Sequence, residues 1–281
     1  PNGSTTSDAA TLVVNAVPNA YVQEMVDLAP ASYYRLDETG DPASGTEPVL
    51  DLSGGHNGTY GSLAFNASSG IHGPVPSEGF GALETSNGAL QPTINLADSW
   101  ATVPGPGFNT NSVTMLAWIN PATRVSNAGI VFARAGQPAT GLDLNGTGNL
   151  GYTWRDDPNS YNFVSGLVPP LNQWSLVAVA VETNRAVVYM VNANGLQSAT
   201  NTIAHANRAF TDNIRIGGDP NNNNRTFDGR IDEVAVFDRA LNADELNRLF
   251  QRALGSVAPS IAASPVSVEE FIGNTFRLNV S

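Results

Sequence analysis

Cysteine is absent from all 281 residues. That removes a disulfide framework, a zinc–thiolate site and a thiol nucleophile together. Lysine is absent as well, so the thirteen cations are arginines, scattered singly through a chain of net charge −12. A groove that neutralises nucleic-acid phosphates needs clustered cations, which excludes nucleic acid as an expected partner. No apolar run approaches the roughly 20 residues that a helix needs to cross a bilayer. Pro1 is not a translation start. The chain therefore reads as a piece of a longer one, with any signal peptide outside it.

Paired catalytic carboxylates are also missing. Many glycan hydrolases hold two acids about 5–5.5 Å apart on one face of a strand, yet no E-x-D-x-E or E-x-D-x-x-E pattern occurs. Asp232 and Glu233 are consecutive, and strand alternation sends them to opposite faces, where they cannot work as a pair. His56, His72 and His205 stand alone, without a Ser/Asp grouping. With no constellation that meets the geometric requirements of catalysis, the expectation is a protein that is not an enzyme.

What is present is strand signal punctuated by turns. The 27 glycines and 18 prolines break the chain often, and only two segments read as helical, which predicts an antiparallel all-β domain. Asn19 to Leu28 is a short helical lead-in, with Tyr21, Met25 and Leu28 spaced for one apolar face. The stretch Phe227–Leu254, FDGRIDEVAVFDRALNADELNRLFQRAL, joins a β-branched strand, a turn and an amphipathic helix. Asn242 and Glu245 form a capping-box pattern, Leu246, Leu249, Phe250 and Ala253 share a face, and Gly255 closes the helix.

That closing segment resembles the end of laminin-G-like domains of the concanavalin A-like lectin/glucanase superfamily. The resemblance extends back over SYYRLDE at 32–38, LDLSGGHNGTYG at 50–61, SVTMLAWINP at 112–121 and NQWSLVAVAVETNRAVVYMVNANG at 172–195, in family order. It implies a two-sheet antiparallel β-sandwich (jelly roll), with the Trp118 strand through its centre and the Trp174 and Tyr189 strands as a neighbouring hairpin. It also implies a structural calcium site between the DLSGGHNG turn and the late strand. Carried over, Asp51, Asn57 and Asp232 are the expected ligands; Ca²⁺ accepts such hard oxygens from a flexible loop. The bland alternative is that Asp51 and Asn57 cap a turn and Asp232 is a surface acid.

Residues 150–166, LGYTWRDDPNSYNFVSG, put aromatics beside planar polar groups. A sugar needs an aromatic surface for its C–H patch and polar groups for its hydroxyls. Trp154, Arg155, Asp156 and Tyr161 are the candidate contacts, joined by Asn222 and Arg225 from the loop GDPNNNNRT at 218–226. The same aromatics would also suit a sheet face packed into a core. Residues 1–18 look like the last strand of an immunoglobulin-like repeat, 19–30 like a helical linker, 31–255 like the sandwich, and 256–281 like the first strands of a further repeat. The expectation is a non-catalytic module that binds a polysaccharide or glycoconjugate, within a large secreted or cell-surface protein of bacterial type. The alternative is a structural, adhesin or self-assembling module, associating through its terminal strands.

Overall fold

A computed structural model describes residues 19–134 and 136–255. Both terminal segments read as immunoglobulin-like strands, 1–18 and 256–281, lie outside the described residues, and so does any pairing between them.

Two antiparallel sheets face each other. One runs in the order Ser32–Tyr34, Gly229–Phe237, Val113–Pro121, Ser175–Glu182, Arg185–Asn192, Gly195–Asn201. The other runs Pro48–Val49, Gly58–Tyr60, Ala101–Val103, Ile214–Ile216, Gly129–Ala133, Thr140–Leu144, Leu150–Trp154. The expected β-sandwich is the observed architecture, with the Trp118 strand inside the six-stranded sheet and Ser175–Glu182 paired to Arg185–Asn192 as a hairpin.

The period of two along each strand builds the space between the sheets. Val177, Val179 and Val181 of one sheet face Leu142, Leu144, Tyr152 and Trp154 of the other in a single core. The opposite phase of the six-stranded sheet is apolar too, with Leu116, Trp118, Leu176, Ala178 and Ala180 pointing outward. An apolar outward row needs a cover, and two helices supply it.

The helix Ala243–Leu254 starts in the capping box its sequence predicts: Glu245 N–H donates to Asn242 Oδ1 at 3.0 Å, and Asn242 N–H donates to Glu245 Oε2 at 2.8 Å. Its apolar face carries Phe250 onto Trp118, the rings stacked at 5.4 Å. Burying a side chain of this size contributes about 1.5–3 kcal/mol. The helix Ala20–Asp27 forms as expected from Asn19, whose side chain caps Val22 N–H. It also packs on the sandwich. Tyr21 accepts the Trp118 indole N–H at 2.9 Å, and Glu24 pairs with Arg248 and Arg252 of the other helix, so its apolar face belongs to the sandwich.

The strand Gly229–Phe237 carries the main irregularity. Asp232 pairs with Trp118 and Ala235 with Leu116, so the strand spends an extra residue between two partners that are two apart. Glu233 takes the left-handed conformation there, with φ at 50°. Such a bulge breaks alternation. Ile231 and Val234 both face the inner core, and Asp232 and Glu233 both turn to the helix-covered side. The expectation that these acids lie on opposite faces is thereby corrected.

Candidate functional site

The outward phase of the last three strands of the seven-stranded sheet is polar and small. In Gly129–Ala133 it presents Phe132; in Thr140–Leu144 it presents Gly141 and Asp143; in Leu150–Trp154 it presents Gly151 and Thr153. No helix covers it. Phe132, Asp143 and Thr153 floor a cleft of about 400 Å³ whose walls include Arg134, Asp156, Tyr161, Asp219 and Arg225.

Each wall residue is held by local geometry. Arg155 and Asp156 take successive left-handed conformations, φ 51° and 57°, which swing the chain off the strand end. Asp156 then accepts from Ala139 N–H at 3.0 Å and faces Arg134 at 3.3 Å. Asp157 caps the short helix Pro158–Tyr161, leaving Tyr161 on the rim at 44% exposure. Across the cleft, Asn222 caps the turn Asn223–Arg225. That turn delivers Arg225 to Asp219 Oδ2 at 2.8 Å, while Arg134 grips both Asp219 oxygens at 2.7 and 3.1 Å.

Asp143 differs from the other acids. It is 5% exposed. Its Oδ2 accepts from the Thr153 hydroxyl at 2.8 Å, and its Oδ1 accepts no hydrogen bond from any described residue. Burial pushes its carboxyl up to about 7, with the Asp219 charge adding to the rise and the Thr153 hydrogen bond opposing it. The floor thus holds an acid that changes charge near neutral pH, with a free oxygen at the cleft.

Of the six residues expected to meet ligand, Asp156, Tyr161 and Arg225 line this cleft. Trp154 does not. It is 3% exposed and its indole donates to Ala206 O at 2.9 Å. Strand alternation sends it inward with Tyr152 and presents Thr153 instead. Arg155 turns away to donate to Asn207 O, and Asn222 serves as a turn cap. Sequence reasoning missed Asp143, Thr153, Arg134 and Asp219. The signal available for two of them was the phase of Gly141-Leu142-Asp143 and Gly151-Tyr152-Thr153, which alternates polar or small with apolar.

The expected metal ligands separate into two places. Asp51 is saturated: Oδ1 accepts from Tyr33 N–H and Ser53 N–H, and Oδ2 accepts from His56 N–H and contacts His56 Nδ1. Asn57 Oδ1 accepts from Asp51 N–H at 2.8 Å. These two brace the glycine turn, and they do not converge with Asp232. Among the described residues, no three His, Asp or Glu side chains gather as a metal-binding group. Asp232 has a different oxygen neighbour. Asn87 Nδ2 donates to its Oδ2 at 2.8 Å, while Asp232 Oδ1 and Asn87 Oδ1 are buried without a hydrogen-bond partner. A Cβ on Gly73 would lie 2.2 Å from Asp232 Oδ2 and 2.5 Å from the Gly88 carbonyl, so glycine alone leaves these oxygens room. Burial, then the neighbouring Glu233 charge, raises the Asp232 carboxyl well above the usual range. Glu233 lies 3.5 Å from Arg35 and accepts from the Tyr33 hydroxyl. Carboxylate and amide oxygens are the hard donors that calcium takes, in sets of about six to eight.

The fold is a concanavalin A-like sandwich. A laminin-G-like family model matches residues 95–247, and the chain belongs to the concanavalin A-like lectin/glucanases superfamily. Among solved structures it is similar to domain 4 of AbnA, a GH43 extracellular arabinanase from Geobacillus stearothermophilus, in complex with arabinotriose. The two are 17% identical, with a TM-score of 0.51, over 78% of this chain and 97% of that one. It is also similar to Trypanosoma rangeli sialidase in complex with 2,3-difluorosialic acid, at 13% identity and a TM-score of 0.50, over 78% of this chain and 32% of the sialidase. At these identities the likeness is one of fold. No curated protein matches the chain.

Proposed function

We propose that this chain is a non-catalytic carbohydrate-binding module, acting on polysaccharide or glycoconjugate outside the cell, with its ligand in the cleft of the seven-stranded sheet. One observation carries the proposal: a buried Asp143 carboxylate with a free oxygen forms the floor beneath an exposed Tyr161 on the rim. Tyr161 supplies an aromatic surface for a sugar C–H patch. Asp143, Asp156 and Asn162 supply planar acceptors and donors for its hydroxyls. Arg134 and Arg225 are spent on Asp219, so they hold the wall rather than attract an anion. The acid pair Asp232 and Glu233 is sealed from both the cleft and solvent, which supports binding without hydrolysis. The bound arabinotriose of the arabinanase domain is consistent with a glycan ligand on this fold.

The test is a glycan and polysaccharide array probed with the chain, with Tyr161→Ala and with Asp143→Ala. Binding that is lost in both variants, while each keeps its thermal melt, supports the cleft. Silence across the array, or binding untouched by either variant, overturns it.

A structural calcium ion belongs to the same proposal. Asp232 and Asn87 would hold it through their unspent oxygens. The ion would add to the positive charge that Arg35 already brings to this buried acidic cluster.

A further inference from the structure

A second cavity, of about 530 Å³, opens on the helix-covered side, where the end of the Val113–Pro121 strand, the Asn172–Trp174 segment and the helix Ala243–Leu254 meet. Its volume lies in the range of small-molecule sites, about 300–1,000 Å³. Its composition is unlike that of the cleft, because no arginine, lysine or histidine lines it.

The apolar wall is fixed. The Trp174 indole N–H donates to Glu78 Oε2 at 2.9 Å, the Arg230 guanidinium lies 5.0 Å from the Trp174 ring centroid, and Phe250 is held on Trp118. Asn120 stands on the outward phase of its strand, one step beyond Trp118, and lines the cavity at 4% exposure. Its amide makes no hydrogen bond to any described residue. Unlike Asn87 Oδ1 and Asp232 Oδ1, its amide atoms are not sealed away; they face the cavity with donor and acceptor both open to a hydroxyl partner. The side chains of Asn172 and Gln173 on the rim make no hydrogen bond to described residues either. Asn172 is set in place by its backbone, with φ at 55° and its N–H donating to Pro121 O at 2.8 Å.

Three free amides therefore meet an aromatic wall. Each amide offers two donors and an acceptor, which matches hydroxyl groups that both give and receive. Glu78 is committed to Trp174 and, at 3.8 Å, to Arg230, so an anionic ligand would find no unspent cation among the lining side chains. We infer that this cavity is a second carbohydrate site, separate from the cleft, and that it takes a neutral sugar residue through Asn120, Asn172 and Gln173. Two sites on opposite faces would let one module bridge two glycan chains, raising avidity without a new contact at either site.

The experiment follows the Trp174 indole N–H signal of ¹⁵N-labelled chain, assigned with Trp174→Phe. The probes are neutral trisaccharides of arabinose, xylose, glucose and galactose, with trigalacturonate as the anionic comparison, all at millimolar concentration. A saturable shift with at least one neutral probe and none with trigalacturonate is expected. Asn120→Ala should weaken it about tenfold or more with an unchanged melt, Gln173→Ala should weaken it less, and Tyr161→Ala should leave it intact. The inference is overturned if no neutral probe moves the signal. It is equally overturned if the shift survives Asn120→Ala and Gln173→Ala, or disappears in Tyr161→Ala, which would assign all binding to the cleft. Because the readout is local to Trp174, failure here leaves the cleft proposal standing.

Discussion

The two outer faces of this sandwich start from the same backbone pattern and end in opposite states. The six-stranded sheet shows Leu116, Trp118, Leu176 and Ala178 on its outward phase and is roofed by two helices. The seven-stranded sheet shows Phe132, Gly141, Asp143, Gly151 and Thr153 on that phase at its far end, and Phe132, Asp143 and Thr153 line a cleft there. The difference teaches that every second residue decides whether a face becomes core or site. Apolar surface recruits a cover, whereas small and acidic residues leave a depression with groups free to bind.

The strongest way to break the comparison is to unroof the covered face. Phe250→Ala removes the ring stacked on Trp118 and should cost about 3–5 kcal/mol. Denaturant unfolding should show this as a lower midpoint, while binding at the cleft persists below the transition. A loss of cleft binding in the folded variant would mean that the faces are coupled.

Calcium removal sharpens the comparison next, because the orphan oxygens lie on the covered side. With the ion at about 100 times its Kd, chelation should remove about 2.7 kcal/mol, read as a lower melting temperature. Asp232→Ala should melt identically with and without chelator. An unchanged melt of the wild-type chain on chelation counts against the ion.

The most gradual effect, read one pH step at a time, belongs to the open face. The folded-state pKa of Asp143 is raised to about 7, above that of an unfolded aspartate near 3.9. The native state therefore holds the extra proton between those values, so stability falls as pH rises from about 4 to 7 and levels off above. The slope from this group is at most about 1.4 kcal/mol per pH unit. Asp143→Asn should flatten its part of the profile, so the variant gains on the wild type across that window, measured by unfolding midpoints at several pH values. A constant difference from pH 4 to 8 would refute the assignment.

Much of this was legible residue by residue. The capping box at Asn242 and Glu245, the apolar face through Phe250 and the lead-in face through Tyr21 are local patterns, and each forms as its spacing predicts. Tyr161 and Arg225 were readable as polar or aromatic groups on loops. Trp154 was misleading because an aromatic beside Arg-Asp-Asp looks available, while its strand phase sends it inward beside Tyr152. Asp51 and Asn57 were misleading for a related reason. Oxygens in a glycine turn are potential ligands until backbone N–H groups claim them, and here Tyr33, Ser53 and His56 do so.

By itself the sequence determined the class of fold, the boundaries of the two longer helices and the exclusion of thiol chemistry, because each rests on residue type or on spacing within one element. Tertiary structure alone decided which acids share a space. Arg134 and Asp219 are 85 residues apart and form one ion pair, Asn87 reaches Asp232 across 145 residues, and a single bulge turns Asp232 and Glu233 to the same side. Those meetings depend on sheet order and register, which no local pattern encodes.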